Sequence, residues 1–142
     1  MRVVAPDRRP PVPAWGFAGL ALLPLIVAWA GYRYGWGGPL LDLGALWGLV
    51  LLGIFAGMIG ASGALRGRWM PAYLALLAAM VPLMALWTGM MDLPQTVAAG
   101  LVLILVLDLW AARAGLMPEW WPRLKLGFTV VAGVLLLAPL IG

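Results

Sequence analysis

One carboxylate, Asp108, lies inside an otherwise apolar run of the sequence. A carboxylate in such surroundings either pairs with a basic side chain or helps to carry a proton or an ion. The next apolar run is preceded by Arg123 and Lys125, and a short connection should return them to the same depth as Asp108. We therefore predict that Asp108 is ionised and forms a structural ion pair with Arg123 or Lys125. A transport role for Asp108 stays open as the alternative.

Few other residues could form a chemical site. The sequence has no cysteine and no histidine, which excludes thiolate nucleophiles, histidine-based acid–base pairs and zinc sites that need these ligands. Asp42, Asp92 and Glu119 fall at the ends of apolar runs or between them. No nucleotide-binding loop or metalloprotease motif is present. We expect no catalytic residues, no cofactor and no metal, and hence no enzyme.

The composition indicates a membrane protein. Of 142 residues, 65% are hydrophobic and only 10% are charged. Soluble domains have roughly 45–50% apolar and about 25% charged residues, so this chain has too little polar surface for a soluble fold. The net charge of +4 could suggest nucleic acid as a partner, but most basic residues flank apolar runs. We therefore expect these basic residues to lie beside the lipid bilayer, and we expect no binding of nucleic acid.

Five apolar runs follow a basic, proline-rich tail over residues 1–13. A helix that crosses a membrane needs about 20 apolar residues, with a range of about 17–25. We predict an all-α, five-helix integral membrane bundle that forms a single domain over 14–142. The predicted spans are 14–31, 43–65, 70–91, 96–112 and 126–141. Ala28-Trp29-Ala30 would also fit a signal-peptide cleavage site, but Pro24 is unusual in a signal peptide and we expect the first run to remain as a span.

The distribution of basic residues predicts an orientation. With five spans, eight of the nine basic residues fall on one side and only Arg33 on the other. Because Lys and Arg accumulate on the cytoplasmic side, we expect the N-terminus inside and the C-terminus outside the bacterial inner membrane. The eight are Arg2, Arg8, Arg9, Arg66, Arg68, Arg113, Arg123 and Lys125.

The nine tryptophans all lie near the predicted span ends, which is typical of an aromatic belt at the membrane interfaces. We assign five of them to the inner interface and four to the outer one. The first group is Trp15, Trp69, Trp110, Trp120 and Trp121, and the second is Trp29, Trp36, Trp47 and Trp87.

Small residues in the second run predict close helix packing. Gly53, Gly57 and Gly60 share one helix face, whereas Gly44 and Gly48 lie nearly opposite. Because small residues let helix backbones approach each other in a membrane, we expect the second helix to be central and contacted from two sides. One of these sides is the packing face of Gly53, Gly57 and Gly60, and the other is the face of Gly44 and Gly48. A groove or pore lined by this backbone is the alternative.

Several ordered motifs resemble a known family. They are Gly16-Phe17-Ala18-Gly19 with Pro24, Phe55-Ala56-Gly57, Met70-Pro71-Ala72, and Asp108 followed by Pro118-Glu119-Trp120-Trp121, Arg123-Leu124-Lys125 and Thr129. In this order they resemble the bacterial domain of unknown function 3429, whose mitochondrial relatives are called transmembrane protein 69. That family often has a His-Trp pair where Gly60-Ala61 stands here. The resemblance implies a five-helix inner-membrane protein and no particular activity.

The sequence offers no residues for a catalytic, cofactor or metal site, but it offers many residues for helix packing. This favours a non-enzymatic protein that binds other membrane proteins. We expect an accessory or assembly subunit of a larger energy-transducing complex. The alternative is a small oligomeric transporter or channel with Asp108 in its pathway.

Overall fold

The computed structural model describes residues 10–35 and 39–141, except for the side chains of 39–41 and 139–141. This part of the chain is all-helical, as predicted. Its five helices are α1 (Val12–Arg33), α2 (Pro39–Ala64), α3 (Met70–Trp87), α4 (Leu93–Arg113) and α5 (Trp121–Ile141). Each helix is long and apolar enough to cross a membrane.

The helices end where the sequence offers a stop signal. Gly89 follows α3 with φ 77° and Gly115 follows α4 with φ 76°, a left-handed conformation that costs glycine little. The backbone N–H groups of Met90 and Leu116 then donate to carbonyl oxygens five residues earlier, at 2.9 Å in both cases. This pattern satisfies carbonyl groups that a helix end otherwise leaves unpaired.

The largest difference from the predicted spans is at the start of α5. This helix begins at Trp121, five residues before the predicted start at 126. Pro122 fits there because proline is compatible with the first turn of a helix. Arg123 and Lys125 therefore lie within α5 and not in a loop before it. Residues 1–9 of the predicted tail lie outside the described residues.

The central position of α2 agrees with the arrangement of the helices. α2 contacts each of the other four helices, while α4 contacts α2, α3 and α5, and α1 packs on α5. One core of buried apolar residues takes members from all five helices. The share of the span that is buried is 44% in α2 and in α5 but only 17% in α3. α3 therefore turns most of its apolar surface outward.

The predicted packing face of α2 is wrong for two of its three glycines. Gly53 and Gly57 are exposed, and a Cβ atom added at either position would meet no heavy atom within 4 Å. At Gly60 an added Cβ would lie 3.4 Å from the Cα atom of Ala72, so this glycine does pack, against α3. Gly53 and Gly57 therefore make no helix contact in the part of the chain that the structure describes.

The close contacts of α2 lie on its other face. A Cβ atom at Gly44 would come within 2.6 Å of the Cβ atom of Ala28 in α1, and one at Gly48 would overlap Val97 in α4. Large apolar side chains explain why this face of α2 is the one that packs against α1 and α4. Phe55 and other core residues of α2 lie on the same side as Gly44 and Gly48, and burying them turns Gly53 and Gly57 outward.

Candidate functional site

Asp108 and Lys125 meet at one end of the bundle. Asp108 lies in the second-to-last turn of α4, and Lys125 lies in the second turn of α5. α4 and α5 are neighbours joined by the short connection 114–120, so these two turns lie at the same level. Both side chains are enclosed, with exposed fractions of 1% for Asp108 and 2% for Lys125.

The geometry selects Lys125 as the basic partner. Lys125 Nζ lies 3.8 Å from Asp108 Oδ2. Arg123 is exposed, because a separation of two residues places it about 200° around the helix from Lys125. The structure therefore brings together Asp108 and Lys125 and leaves Arg123 at the surface.

Trp121 completes the contacts of the carboxylate. Its indole Nε1–H donates a hydrogen bond of 2.9 Å to Asp108 Oδ1. Trp121 is 6% exposed, so its indole faces the interior of the bundle at the start of α5. The spacing explains the arrangement, since Trp121 and Lys125 are four residues apart and share one face of α5. This spacing was the signal in the sequence that Trp121 faces the same carboxylate.

The Lys125 ammonium group is held between aromatic rings. Nζ lies 3.1 Å from the ring centroid of Phe55 in α2 and 5.6 Å from that of Phe128 in α5. Cations are attracted to the faces of aromatic rings, most strongly where water is excluded. The Lys125 side chain therefore points into the core of the bundle, although it stands near the end of a span. The sequence singles out Phe55 only as part of a family motif, and it predicts a contact with Lys125 for neither phenylalanine.

The same rings join α2 to α5 beside the pair. The centroids of Phe55 and Phe128 are 5.3 Å apart, and those of Phe55 and Trp121 are 6.5 Å apart, both edge-on. Edge-to-face pairs of this kind add stability beyond the area that they bury. The cluster formed by Asp108, Lys125, Trp121, Phe55 and Phe128, called here the charged cluster, thus joins α2, α4 and α5.

Three buried polar atoms of this region have no hydrogen-bond partner among the described residues: Asp108 Oδ2, Lys125 Nζ and Thr129 Oγ1. The separation of 3.8 Å between the charges is longer than the ~2.7–2.9 Å of a charge-assisted hydrogen bond. Asp108 and Lys125 compensate each other as charges, and their other contacts come from the indole and the rings.

The charged cluster is closed to solvent. The cavity beside Lys125 has a volume of about 10 Å³ and is lined by side chains of α1, α2 and α5, including Phe17 and Phe55. A single water needs about 10–15 Å³. This cavity therefore has room for one water at most.

Further hydrogen bonds tie the loops at the same end. Ser62 Oγ donates to the carbonyl oxygen of Leu116 at 2.6 Å, and Arg66 Nη1 donates to that of Gly115 at 2.5 Å. The Ser62 hydrogen bond joins α2 to the α4–α5 connection. Across residues 10–35 and 39–141, no group of three or more acidic, histidine or cysteine side chains could hold a metal ion.

The five apolar helices define the class of protein to which this molecule belongs. The helices indicate a multi-pass membrane protein. No protein-family model, no curated protein and no solved structure matches the chain.

Proposed function

We propose that this chain is a non-enzymatic, multi-pass protein of the bacterial inner membrane. It acts as an accessory or assembly subunit of a larger energy-transducing membrane complex. The observation that carries the proposal is the contrast between a closed interior and open outer faces. Asp108 and Lys125 are enclosed within the bundle, whereas the apolar surface of α3 is left largely exposed.

The outer faces are the surfaces through which such a protein can act. Only 22% of the α1 span and 17% of the α3 span are buried within the chain. The connections between helices are short, so the described residues include no sizeable domain outside the spans. A neighbouring membrane protein that packs on these faces would make contacts that the chain does not make with itself.

The resemblance to the domain of unknown function 3429 is part of this proposal. It rests on the order of the motifs around Asp108, Trp121 and Thr129. Two of these residues belong to the charged cluster and the third lies in the next turn of α5, which supports a structural reason for their joint occurrence.

A small oligomeric transporter is the second candidate. It is favoured by one observation, that Asp108 Oδ2 and Lys125 Nζ are charged, buried and without hydrogen-bond partners among the described residues. Against it stands the enclosure of the pair, because an ion pathway needs access from both sides of the membrane.

Capture of the tagged full-length chain from native membranes in a mild detergent tests the two candidates. Quantitative mass spectrometry gives the stoichiometry of what remains bound. The proposal predicts a fixed ratio to subunits of one respiratory or photosynthetic complex, and a mass far above that of the chain. A homo-oligomer, or the chain alone, would overturn the accessory role.

The orientation is tested by reporter fusions in the two described loops on opposite ends of α4. We expect a fusion after Gly115 to report the cytoplasm and one after Gly89 to report the periplasm, since the loop end near Gly115 carries Arg66, Arg68 and Arg113. The reverse result would invert the proposed topology, and a single compartment for both fusions would refute the crossing of α4.

A further inference from the structure

An open groove runs along the outer surface between α4 and α5. Its volume is about 520 Å³, within the ~300–1,000 Å³ of small-molecule sites. Apart from Thr129, its lining side chains are apolar, and they include Val102 and Leu105 of α4 and Val130 of α5. Gly133 helps to open the groove, because a Cβ atom at this position would meet no heavy atom within 4 Å.

The groove has the length of a lipid tail. On α5 its lining extends from Leu126 to Ala138, which corresponds to about 18 Å at ~1.5 Å per residue. The hydrocarbon core of a bilayer is about 30 Å thick, so one leaflet measures about 15 Å. A hydrocarbon chain that lies in the groove would therefore extend through the depth of one leaflet.

A basic residue stands at one end of the groove. A smaller cavity of about 110 Å³ shares Leu105 and Leu126 with the groove, and its lining includes Arg123. The Arg123 side chain is exposed, and no ion pair involves it among the described residues. A guanidinium group offers paired donors that match the oxygens of a phosphate group.

The surrounding charge also favours an anion. Arg66, Arg68 and Arg113 are exposed at the same end of the bundle, and Glu119 is the acidic residue of the neighbouring loop. The described residues at this end therefore carry a positive excess. Basic pockets between membrane helices on the cytoplasmic side are a known arrangement for acidic headgroups.

We propose that the α4–α5 groove binds one anionic phospholipid, with an acyl chain along Leu126 to Ala138 and the phosphate group at Arg123. The apolar groove and the arginine at its end match the two parts of such a lipid, whereas a partner helix would use the apolar part alone. This inference requires only that the protein lies in a membrane, and it does not depend on the accessory role.

Native mass spectrometry of the purified full-length protein tests the site. The protein in detergent is titrated with phosphatidylglycerol or with phosphatidylcholine of the same acyl chains. The variants are Arg123→Gln, with Arg68→Gln as the control at the same end, and Gly133→Leu, with Gly53→Leu as the control at an open glycine outside the groove. A melting assay verifies that each variant is folded.

We expect one phosphatidylglycerol to bind about five-fold more tightly than phosphatidylcholine, the effect of roughly one favourable basic contact. Arg123→Gln should remove this preference. Phosphatidylcholine has the same phosphate group but a compensating choline charge, so its affinity should fall less than that of phosphatidylglycerol. Gly133→Leu should weaken the binding of both lipids by filling the groove, while both controls behave as the wild type.

Equal affinity for the two lipids would overturn the proposal, as would an equal effect of Arg123→Gln and Arg68→Gln. A preference that Arg123→Gln abolishes but Gly133→Leu leaves intact would show a surface anion contact without a tail site, and would also overturn it. Dimers whose formation excludes the lipid would assign the groove to a second copy. If Gly133→Leu fails to fold, Gly133→Val takes its place as the groove variant, because a Cβ atom at this position meets no heavy atom within 4 Å.

Discussion

Replacement of Asp108 by asparagine removes the charge opposite Lys125 and little else. The side chain keeps its size and an oxygen that can accept the hydrogen bond from Trp121. The Lys125 ammonium group then stays enclosed, 3.1 Å from the ring centroid of Phe55, without its counter-charge. The variant therefore isolates the contribution of the ion pair.

We expect Asp108→Asn to lower the free energy of unfolding strongly, because Asp108 and Lys125 are both almost fully buried. Removing one partner of a buried ion pair typically costs ~3–5 kcal/mol. For a chain of this size a change of 1 kcal/mol shifts the melting temperature by roughly 3 °C. We expect Asp108→Asn to lower the melting temperature by about 10 °C.

Thermal melting of the purified protein in one detergent measures the shift. Asp42→Asn is the matched control, because Asp42 is exposed at the start of α2 and its change should cost less than about 1 kcal/mol. The double variant Asp108→Asn/Lys125→Met removes both charges and should melt closer to the wild type than either single variant. An Asp108→Asn variant that melts within about 2 °C of the wild type would refute the reasoning. A fall in the melting temperature of the double variant that equals the sum of the falls in the two single variants would refute it as well.

Two further predictions concern close packing and the indole hydrogen bond. Gly48→Leu should prevent folding or lower the melting temperature strongly, since its side chain would overlap Val97. Gly57→Leu should melt within about 2 °C of the wild type, because no atom of the described residues lies within 4 Å of a Cβ at this position. Similar melting of these two variants would contradict the assigned face of α2. Trp121→Phe leaves a buried oxygen of Asp108 without its donor and should cost about 1–3 kcal/mol in the same assay. An unchanged melting temperature for Trp121→Phe would show that this hydrogen bond does not contribute.

The helices themselves could be predicted because length and apolar composition suffice to define them. The start of α5 could not be placed from composition. Arg123 and Lys125 look like the polar boundary of a span, and only the fold shows that Lys125 turns inward while Arg123 stays outside. The two residues differ because they lie on different sides of the axis of α5. Which side faces the core depends on how the helix is rotated from its start at Trp121.

The partner of Asp108 was predicted only as a choice between two residues, and its aromatic surroundings were missed. Phe55 lies more than fifty residues before Asp108 in the sequence, so no local spacing links them. The face of α2 was assigned from its glycines alone. In the fold, the demand to bury Phe55 and its large neighbours decides which face is inside. Small residues permit a close contact, but they do not select its location.

The central claim is that Asp108 and Lys125 hold the helices together and conduct nothing. The most direct test is proton flux into liposomes that contain the purified protein and an enclosed pH-sensitive dye, under an imposed membrane potential. We predict the same flux as in protein-free liposomes and in liposomes with the folded Asp108→Asn/Lys125→Met variant. A flux well above that of protein-free liposomes, lost in this variant while it remains folded, would contradict the claim and assign Asp108 to a transport pathway.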